Sequence, residues 1–345
     1  MKLWLLRGVK ALAGVGLTLA VGFVVLWWVA ARVANADEAP PSAAKVNDAF
    51  QRSVGWLKLH EAEILGDGNV ALWWMIKAAA DRSHDPYLAD LVQRSIRVVY
   101  AGDKATLPWR RIVEPNAVIV PNDLMTDGLS PYQRFYYFSA TCRVVEPDDT
   151  GPGSQQFLDG NTCRPIWGKV IFRDKVCSTH QLLGIRMARN SGCKLDAKVA
   201  ALESELLEDI AFQLKVDPVI TDPYIQRVLT LYWVAGPQSV KPVWLRRVID
   251  AQQPDGGWSG DHLLLGVPQW LQPATWRQLM SRLVPSRFNA APPASNFHAT
   301  AQGVLLMALA LHPQLVGDLR LGFVTPLHQV DASVCSLRQS TPTMH

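Results

Sequence analysis

Two histidines stand at the start of predicted apolar helices, a position from which a side chain can act on a ligand. The segments STHQLLGIRMARNSG and NFHATAQGVLLMALALHP each begin with a histidine, a threonine and a glutamine close together. The two groups are His180 with Thr179 and Gln181, and His298 with Thr300 and Gln302. Imidazole changes charge near neutral pH, so His180 and His298 are candidate catalytic residues, and Gln181 and Gln302 are candidate ligand-binding residues. The competing interpretation is that both histidines hydrogen-bond backbone carbonyl groups.

A metal site is an alternative role for the same histidines. Cys177 and His180 lie one helical turn apart, and His298 could supply a third ligand. Thiolate sulfur and imidazole nitrogen are the usual zinc ligands in proteins. The main prediction is that the protein holds no metal and no cofactor, and the zinc site is the alternative to it.

A turn motif follows another predicted helix, in the segment WLRRVIDAQQPDGGWSG. Pro254 prevents the helix from continuing past Gln252, and Gly256-Gly257 permits a tight reversal. Trp258 would then close the turn over the core, and Gln252 can satisfy free backbone groups at a neighbouring helix end. The motif therefore predicts a helix end that is held against the rest of a helical domain by packing and hydrogen bonds.

The order Q-x-x-D-G-G-W in Gln252–Trp258 resembles the QW repeat of the terpenoid cyclase and protein prenyltransferase superfamily. The resemblance covers about residues 223–313, and the later helix NFHATAQGVLLMALALHP is similar to the inner helix that follows such a repeat. It implies an α/α toroid, in which paired helices form two concentric layers. The chain lacks the D-x-D-D run with which cyclases protonate their substrate. It also lacks the Asp-x-Cys pair that holds zinc in prenyltransferases, so neither chemistry is implied.

Acidic residues near the turn form a further candidate catalytic group. Toroids of this kind also host polysaccharide lyases and hydrolases, and glycoside hydrolysis uses paired carboxylates. Asp255 and Asp261 would lie near one rim of the barrel, and Trp258 could contact a ligand there. The competing interpretation gives these residues turn and cap roles. The sequence contains no H-E-x-x-H, no phosphate-binding glycine loop and no G-x-S-x-G elbow.

An uncharged apolar run from Ala11 to Ala31 precedes all of these residues. An α-helix needs about 20 such residues to cross a bilayer, and the basic flank before the run predicts a cytoplasmic N-terminus. Ala34-Asn35-Ala36 resembles a cleavage site, so a removable signal peptide is the alternative. The length of the run and the adjacent Trp27 and Trp28 favour an uncleaved, single-pass anchor. The following domain is then extracytoplasmic, and periplasmic if the source is bacterial.

The rest of the chain predicts a mainly α fold. Helical periodicity indicates helices near 43–64, 69–82, 86–100, 131–140, 174–191, 196–216, 222–234, 241–252 and 296–312. Short β-like runs such as AVIVP and KVIF fall in an irregular insertion. We therefore divide the chain into an anchor or signal segment (1–36), a linker (37–42), an incomplete or degenerate toroid (43–330, with the insertion at about 103–173) and a tail (331–345).

The cysteines fit an oxidising compartment. Cys142, Cys163, Cys177 and Cys193 are candidates for disulfides, and spacing alone does not determine how they pair. A Cys142–Cys163 bond would close a polar, glycine-rich loop, and Cys177 and Cys193 bracket a predicted helix. Cys335 makes the count odd, so at least one thiol is unpaired or intermolecular, and the competing interpretation is that all five are reduced packing residues.

Charge limits the class of partner. The formal net charge is +4, and most of it comes from three basic residues before Ala11. After Ala11 no run of consecutive basic residues is longer than Arg110-Arg111 or Arg246-Arg247. The sequence therefore predicts no nucleic-acid binding. The partners expected are the bilayer, an apolar or glycan ligand and an envelope protein.

Two function classes follow from these features. The first is a membrane-tethered, extracytoplasmic helical toroid that binds an apolar or envelope-derived ligand or partner without catalysis. The second is an enzyme that acts on a cell-envelope glycan or isoprenoid lipid with residues at the mouth of the toroid.

Overall fold

The computed structural model describes residues 2–121, 128–147, 153–163, 177–217, 220–260 and 294–313, with side chains from Gly14 onward. The described part of the chain is mainly helical. Its α-helices are α1 (Lys2–Ala34), α2 (Ala43–Leu59), α3 (Glu61–Ile64), α4 (Val70–Ser83), α5 (Pro86–Val99), α6 (Arg110–Val113), α7 (Pro131–Thr141), α8 (Gln156–Asp159), α9 (Cys177–Asn190), α10 (Lys198–Val216), α11 (Asp222–Ala235), α12 (Pro242–Asp250) and α13 (Phe297–Leu311). Short 3₁₀ turns lie at Gly102–Thr106 and Pro237–Ser239.

Side-chain caps explain where several helices begin. Ser42, Asn69, Asp85 and Asn296 each accept a hydrogen bond from a backbone N–H in the first turn of the following helix. Ser130 and Gln133 form a reciprocal capping box at the start of α7. These bonds satisfy backbone donors that the helix itself leaves free. The bounds of the helices agree with the predicted ones to within a few residues. The exception is the helix predicted at 43–64, which ends at Leu59 and is followed by the short α3.

The predicted β-like run AVIVP is not a strand. Residues 117–121 have no regular secondary structure, and no strand occurs in the described ranges. Val118 and Val120 are exposed, and the Val120 N–H donates to the carbonyl of Thr106 across a loop. A strand requires a partner ladder, and this segment has no strand beside it among the described residues. The second run, KVIF at 169–172, lies outside them.

Four of the longer helices pack mainly against other helices and are largely buried: α4, α9, α11 and α13. The α13 helix contacts α2, α4 and α11, while α9 contacts α7, α10 and α11. By contrast, α2, α5, α10 and α12 each bury one face and expose the other. Their amphipathic sequences explain this, because only one stripe of each helix is apolar.

Neighbouring buried helices run parallel. The N-terminal turn of α9 meets that of α11, where the Thr179 hydroxyl donates to Gln226 Oε1 at 2.7 Å. The N-terminal turns of α4 and α13 meet where the rings of Trp73 and Phe297 lie 5.0 Å apart. Parallel neighbours require a returning segment between them, and α10 supplies it between α9 and α11 because it contacts both.

The four predicted cysteines form two disulfides, Cys142–Cys193 and Cys163–Cys177. Neither bond is the Cys142–Cys163 closure considered from the sequence. Cys142 follows the end of α7 and Cys193 lies just beyond the end of α9. These two helices pack together, and their C-terminal ends bring the Cα atoms within 5.1 Å. The helix packing therefore selects the pairing, and it also shows that α7 and α9 are parallel.

The N-terminal helix is long and apolar enough to cross a membrane over the 21 residues Gly14–Ala34, within which an 18-residue window has a mean hydropathy of 2.0. Most of its described side chains are exposed, as expected for a helix whose solvent is lipid. Ala30 and Ala34 are buried where α1 meets α10. The helix is thus a candidate anchor that joins the domain through its last turns.

Candidate functional site

The predicted candidate His298 lies beside Asp222 at the starts of two parallel helices. His298 is the second residue of α13, Asp222 is the first residue of α11, and His298 Nδ1 lies 3.1 Å from Asp222 Oδ1. The same carboxylate oxygen accepts a 2.7 Å hydrogen bond from Nε2 of Gln302. Thr221 precedes Asp222 in the chain. We call Thr221, Asp222, His298 and Gln302 the entrance cluster.

The turn motif positions the entrance cluster. The backbone carbonyl of Trp258 accepts from the N–H of Asn296, and the carbonyl of Gly260 accepts from the N–H of Asp222. Asn296 in turn caps α13 with its side chain, through the N–H of Ala299. Two residues of one turn therefore hold the starts of α11 and α13 together. This is why Asp222 and His298 lie within hydrogen-bonding distance.

Hydrogen bonding to Asp222 raises the pKa of His298 above its ordinary value, and the negative charge of Asp67 adds to this effect. Partial burial of the ring acts in the opposite direction. Because Nδ1 faces the carboxylate, Asp222 orients the ring through that nitrogen and leaves Nε2 on the other side of the ring. A carboxylate that orients an imidazole in this way equips it for proton transfer or for donating a hydrogen bond.

This pair makes stability depend on pH in a defined direction. Since the pKa of His298 is higher in the folded state than in the unfolded chain, the stabilisation is complete below the unfolded pKa of about 6.5. It is lost as the pH rises through the folded-state value. We therefore expect His298→Gln to lower the midpoint of thermal unfolding clearly at about pH 5 and much less at about pH 9. A difference that grew with pH would contradict the ion pair.

Two buried oxygen atoms of the entrance cluster have no hydrogen-bond partner within the described residues. They are Oε1 of Gln302, whose side chain is wholly buried, and Oγ1 of Thr221. Flipping the Gln302 amide would not give Oε1 a partner, because Nε2 must face the carboxylate of Asp222 to which it donates. A buried polar atom without a partner costs free energy, which a water or a ligand recovers when it supplies the missing bond.

Trp258 packs in the core beneath the turn, and its ligand-binding role stays a prediction. Its side chain is fully buried, and its indole N–H donates to the carbonyl of Val248 at 2.8 Å. Asp255 also serves the turn: its Oδ1 accepts from the N–H of Gly257 and from the hydroxyl of Ser295. Asp261, the other candidate carboxylate, lies outside the described residues.

Gln252 binds backbone groups as the motif predicts, but the neighbouring helix is contacted at its middle rather than at its end. Its Nε2 donates to the carbonyl of Gly256 within the turn and to that of Ala49, each at 2.8 Å. Ala49 lies in the middle of α2 rather than at a helix end. Gly256 has a φ of +93°, and a Cβ there would lie 2.4 Å from the carbonyl oxygen of Arg52. The turn therefore needs glycine for its backbone conformation and for its close approach to α2.

The second histidine group serves a different place. The ring of His180 lies against Tyr132 of α7, with centroids 4.9 Å apart. Gln181 is wholly buried, and its Nε2 donates to the carbonyls of Phe157 and Gly160 while its Oε1 accepts from Thr162. Gln181 therefore staples the loop after α8 to α9. Both of its amide atoms are occupied by these contacts, and a ligand-binding role for Gln181 stays a prediction.

The three-ligand metal site also loses its thiolate. Cys177 is bonded to Cys163, and a disulfide sulfur is not a zinc ligand. His180 and His298 contact different helices, α7 and α11. Within the described ranges, no group of three or more His, Cys, Asp or Glu side chains is arranged to hold a metal ion.

Sequence reasoning identified His298 and Gln302 but missed Asp222 and Thr221. The signal at 221–222 reads Thr-Asp-Pro, an ordinary helix start, and it does not reveal that a histidine far along the chain will pack against the aspartate. Comparison with known protein families, characterised proteins and solved structures finds no match for this chain. The entrance cluster and the helix arrangement are therefore the basis on which a function can be assigned.

Proposed function

We propose that this protein is a membrane-anchored, extracytoplasmic α/α toroid that binds an envelope-derived ligand at the entrance cluster. The observation that carries the proposal is the Asp222–His298 pair, whose imidazole is 44% exposed and which lies beside a Gln302 Oε1 that has no partner among the described residues. The ligand class that fits is one rich in hydroxyl donors, such as a cell-envelope glycan or the glycan headgroup of an envelope lipid.

The order of the parallel helices supports the toroid. Each of α7, α9, α11, α13 and α4 packs against the next in that order, and the arrangement is held by contacts at corresponding ends of the helices. The ring of Trp109, which precedes α6, packs edge-on to Tyr137 of α7, and α6 contacts α4. These contacts link the last helix of the series back to the first. A ring of parallel inner helices with amphipathic helices outside is the architecture that the QW-type turn implies.

The location is supported by two independent features. The span Gly14–Ala34 follows a basic flank, which favours a cytoplasmic N-terminus. Disulfides persist in oxidising compartments, and the domain after the span contains two of them. Both features are consistent with a domain on the far side of the membrane.

The chemistry of the entrance cluster favours a donor-rich ligand. The carboxylate of Asp222 and the amide oxygen of Gln302 are hydrogen-bond acceptors, and the hydroxyl of Thr221 can accept or donate. His298 Nε2 adds a donor or an acceptor according to its protonation state. A site with buried acceptors discriminates strongly in favour of a ligand that supplies hydroxyl or amide protons.

The test is a calorimetric titration of the detergent-purified, full-length protein with N,N′-diacetylchitobiose, a soluble glycan probe. We expect binding to the wild type, and an affinity reduced about tenfold or more, equivalent to about 1.4 kcal/mol, in His298→Gln. The matched control is His60→Gln, because His60 Nδ1 forms a comparable 3.0 Å pair with Glu63. Equal affinities for the wild type and His298→Gln would contradict the proposal, as would a loss in the control.

The Asp222–His298 pair specifically favours a second candidate, an enzyme acting on an envelope glycan or isoprenoid lipid. An imidazole oriented by a carboxylate is a common general base or acid. The same titration distinguishes the two candidates if the mixture is analysed by mass spectrometry afterwards. Cleaved probe that disappears in His298→Gln would indicate catalysis, whereas intact probe indicates binding alone.

A further inference from the structure

The end of α1 is joined to the domain by hydrogen bonds rather than by a free tether. Asn35 Nδ2 donates to the carbonyls of Ala31 in α1 and Lys215 in α10, each at 2.7 Å. Ala30 and Ala34 are buried in the same region. One side chain therefore ties the last turn of the candidate span to the last turn of α10.

The linker after α1 is also held. Lys241 Nζ donates to the carbonyl of Asn35 at 3.0 Å, and both carboxylate oxygens of Glu38 accept from the guanidinium of Arg246. A paired, two-point contact between arginine and a carboxylate restrains direction as well as distance. The domain is thus fixed in orientation relative to the axis of α1, and one of its surfaces must face the bilayer.

The C-terminal part of α10 is that surface. The apolar span ends at Ala34, beside Asn35 and Lys215, so the end of α10 lies at the depth where headgroups begin. Arg32 stacks on the ring of Trp28 with 4.7 Å between the guanidinium carbon and the ring centroid. Tryptophan and arginine side chains gather at membrane interfaces, which places the same boundary here.

The residues of α10 change character along the helix as this orientation requires. Its first two-thirds carry acidic residues at 203, 205, 208 and 209, whereas the last turns, AFQLKV, carry none and include Lys215. Phe212 is 52% exposed, although an aromatic side chain normally avoids water. It lies one turn from Lys215 on the same side of the helix. An exposed aromatic next to a lysine suits an interface of acyl chains and anionic headgroups.

We propose that Phe212 inserts into the outer leaflet of the membrane crossed by α1, so that the end of α10 seats the domain on the bilayer. The proposal rests on the anchor but not on the ligand or the toroid. Seating the domain in this way gives it a constant orientation relative to lipid and to lipid-linked molecules.

Photochemical crosslinking tests the insertion. A benzoylphenylalanine is introduced at one position at a time in the full-length protein, which is reconstituted in phosphatidylcholine–phosphatidylglycerol nanodiscs and irradiated. Position 212 is the test, Val25 in the middle of the span is the positive control, and Leu59, an exposed residue at the end of α2, is the negative control. Mass spectrometry of the digested protein then detects peptides that carry a phospholipid.

We expect lipid adducts at 25 and 212 and none at 59. An adduct at 25 without one at 212 would show that the anchor spans while the domain stands off the bilayer, which overturns the proposal. Adducts at 59 as abundant as those at 212 would show general adsorption and also overturn it. The absence of adducts at both 25 and 212 would refute the anchor, while leaving the glycan titration unaffected.

Discussion

Replacing Trp258 by alanine is expected to lower the free energy of unfolding by about 3–5 kcal/mol, the range for a buried large aromatic. The ring is fully buried, and it covers Gly303 of α13 so closely that a Cβ there would lie 2.4 Å from the ring atom Cε3. Its removal leaves a cavity between the turn and α13. It also removes the indole N–H that donates to the carbonyl of Val248, which keeps, within the described residues, only its bond from the N–H of Ala251.

The measurement is urea unfolding of the full-length protein in mild detergent, followed by near-ultraviolet circular dichroism. Trp258→Phe retains most of the buried area and loses the indole N–H, so it should fall between the wild type and alanine. Phe212→Ala is the matched control, because that aromatic side chain is exposed and its loss should leave the unfolding midpoint nearly unchanged. Equal effects of the alanine substitutions at 258 and 212 would show that the Trp258 side chain does not stabilise the packing of the turn on α13.

Removing the Cys142–Cys193 disulfide with paired serine substitutions should destabilise the domain by about 4 kcal/mol in the chain-entropy treatment. The bond joins residues separated by 51 positions, and the Cys163–Cys177 bond joins residues separated by 14. The same treatment gives about 3 kcal/mol for the shorter loop, because a shorter loop restricts the unfolded chain less. The longer bond also holds together the C-terminal ends of α7 and α9.

The check is the urea midpoint of each double variant, with both compared with Cys335→Ser, since the other four cysteines are paired with one another. Non-reducing peptide mapping should first recover the 142–193 and 163–177 pairs in the wild type. The prediction fails if the Cys142/Cys193 variant is as stable as the Cys335 control. Recovery of a 142–163 linkage would show that the helix ends do not meet as described.

Local features of the chain determine much of this architecture without any contact between distant segments. The caps at Ser42, Asn69 and Asn296, and the break at Pro254, depend on neighbours within a few residues. Backbone groups at a helix end are satisfied locally, so helix starts and stops can be predicted from short patterns. The apolar run in α1 is predictable for the same reason, because membrane spans depend on composition and length.

Pairings between distant segments could not be predicted in this way. The cysteines were identifiable as disulfide candidates, but their partners were decided by the parallel packing of α7 and α9. Only the folded chain brings Asp222 to Gln302, 80 residues away. No pattern around the Thr-Asp-Pro helix start distinguishes it from a simple cap.

The two histidine segments show this difference most clearly. In sequence, Gln181 and Gln302 occupy equivalent places beside a histidine at a helix start. In the structure, both amide atoms of Gln181 bind the loop after α8, whereas Gln302 donates to Asp222 and keeps a buried oxygen without a partner among the described residues. The sequence alone determined where the helices, the candidate anchor and the turn would form. The tertiary structure decided which glutamine holds a loop and which belongs to the candidate site, because that depends on what packs against each helix start.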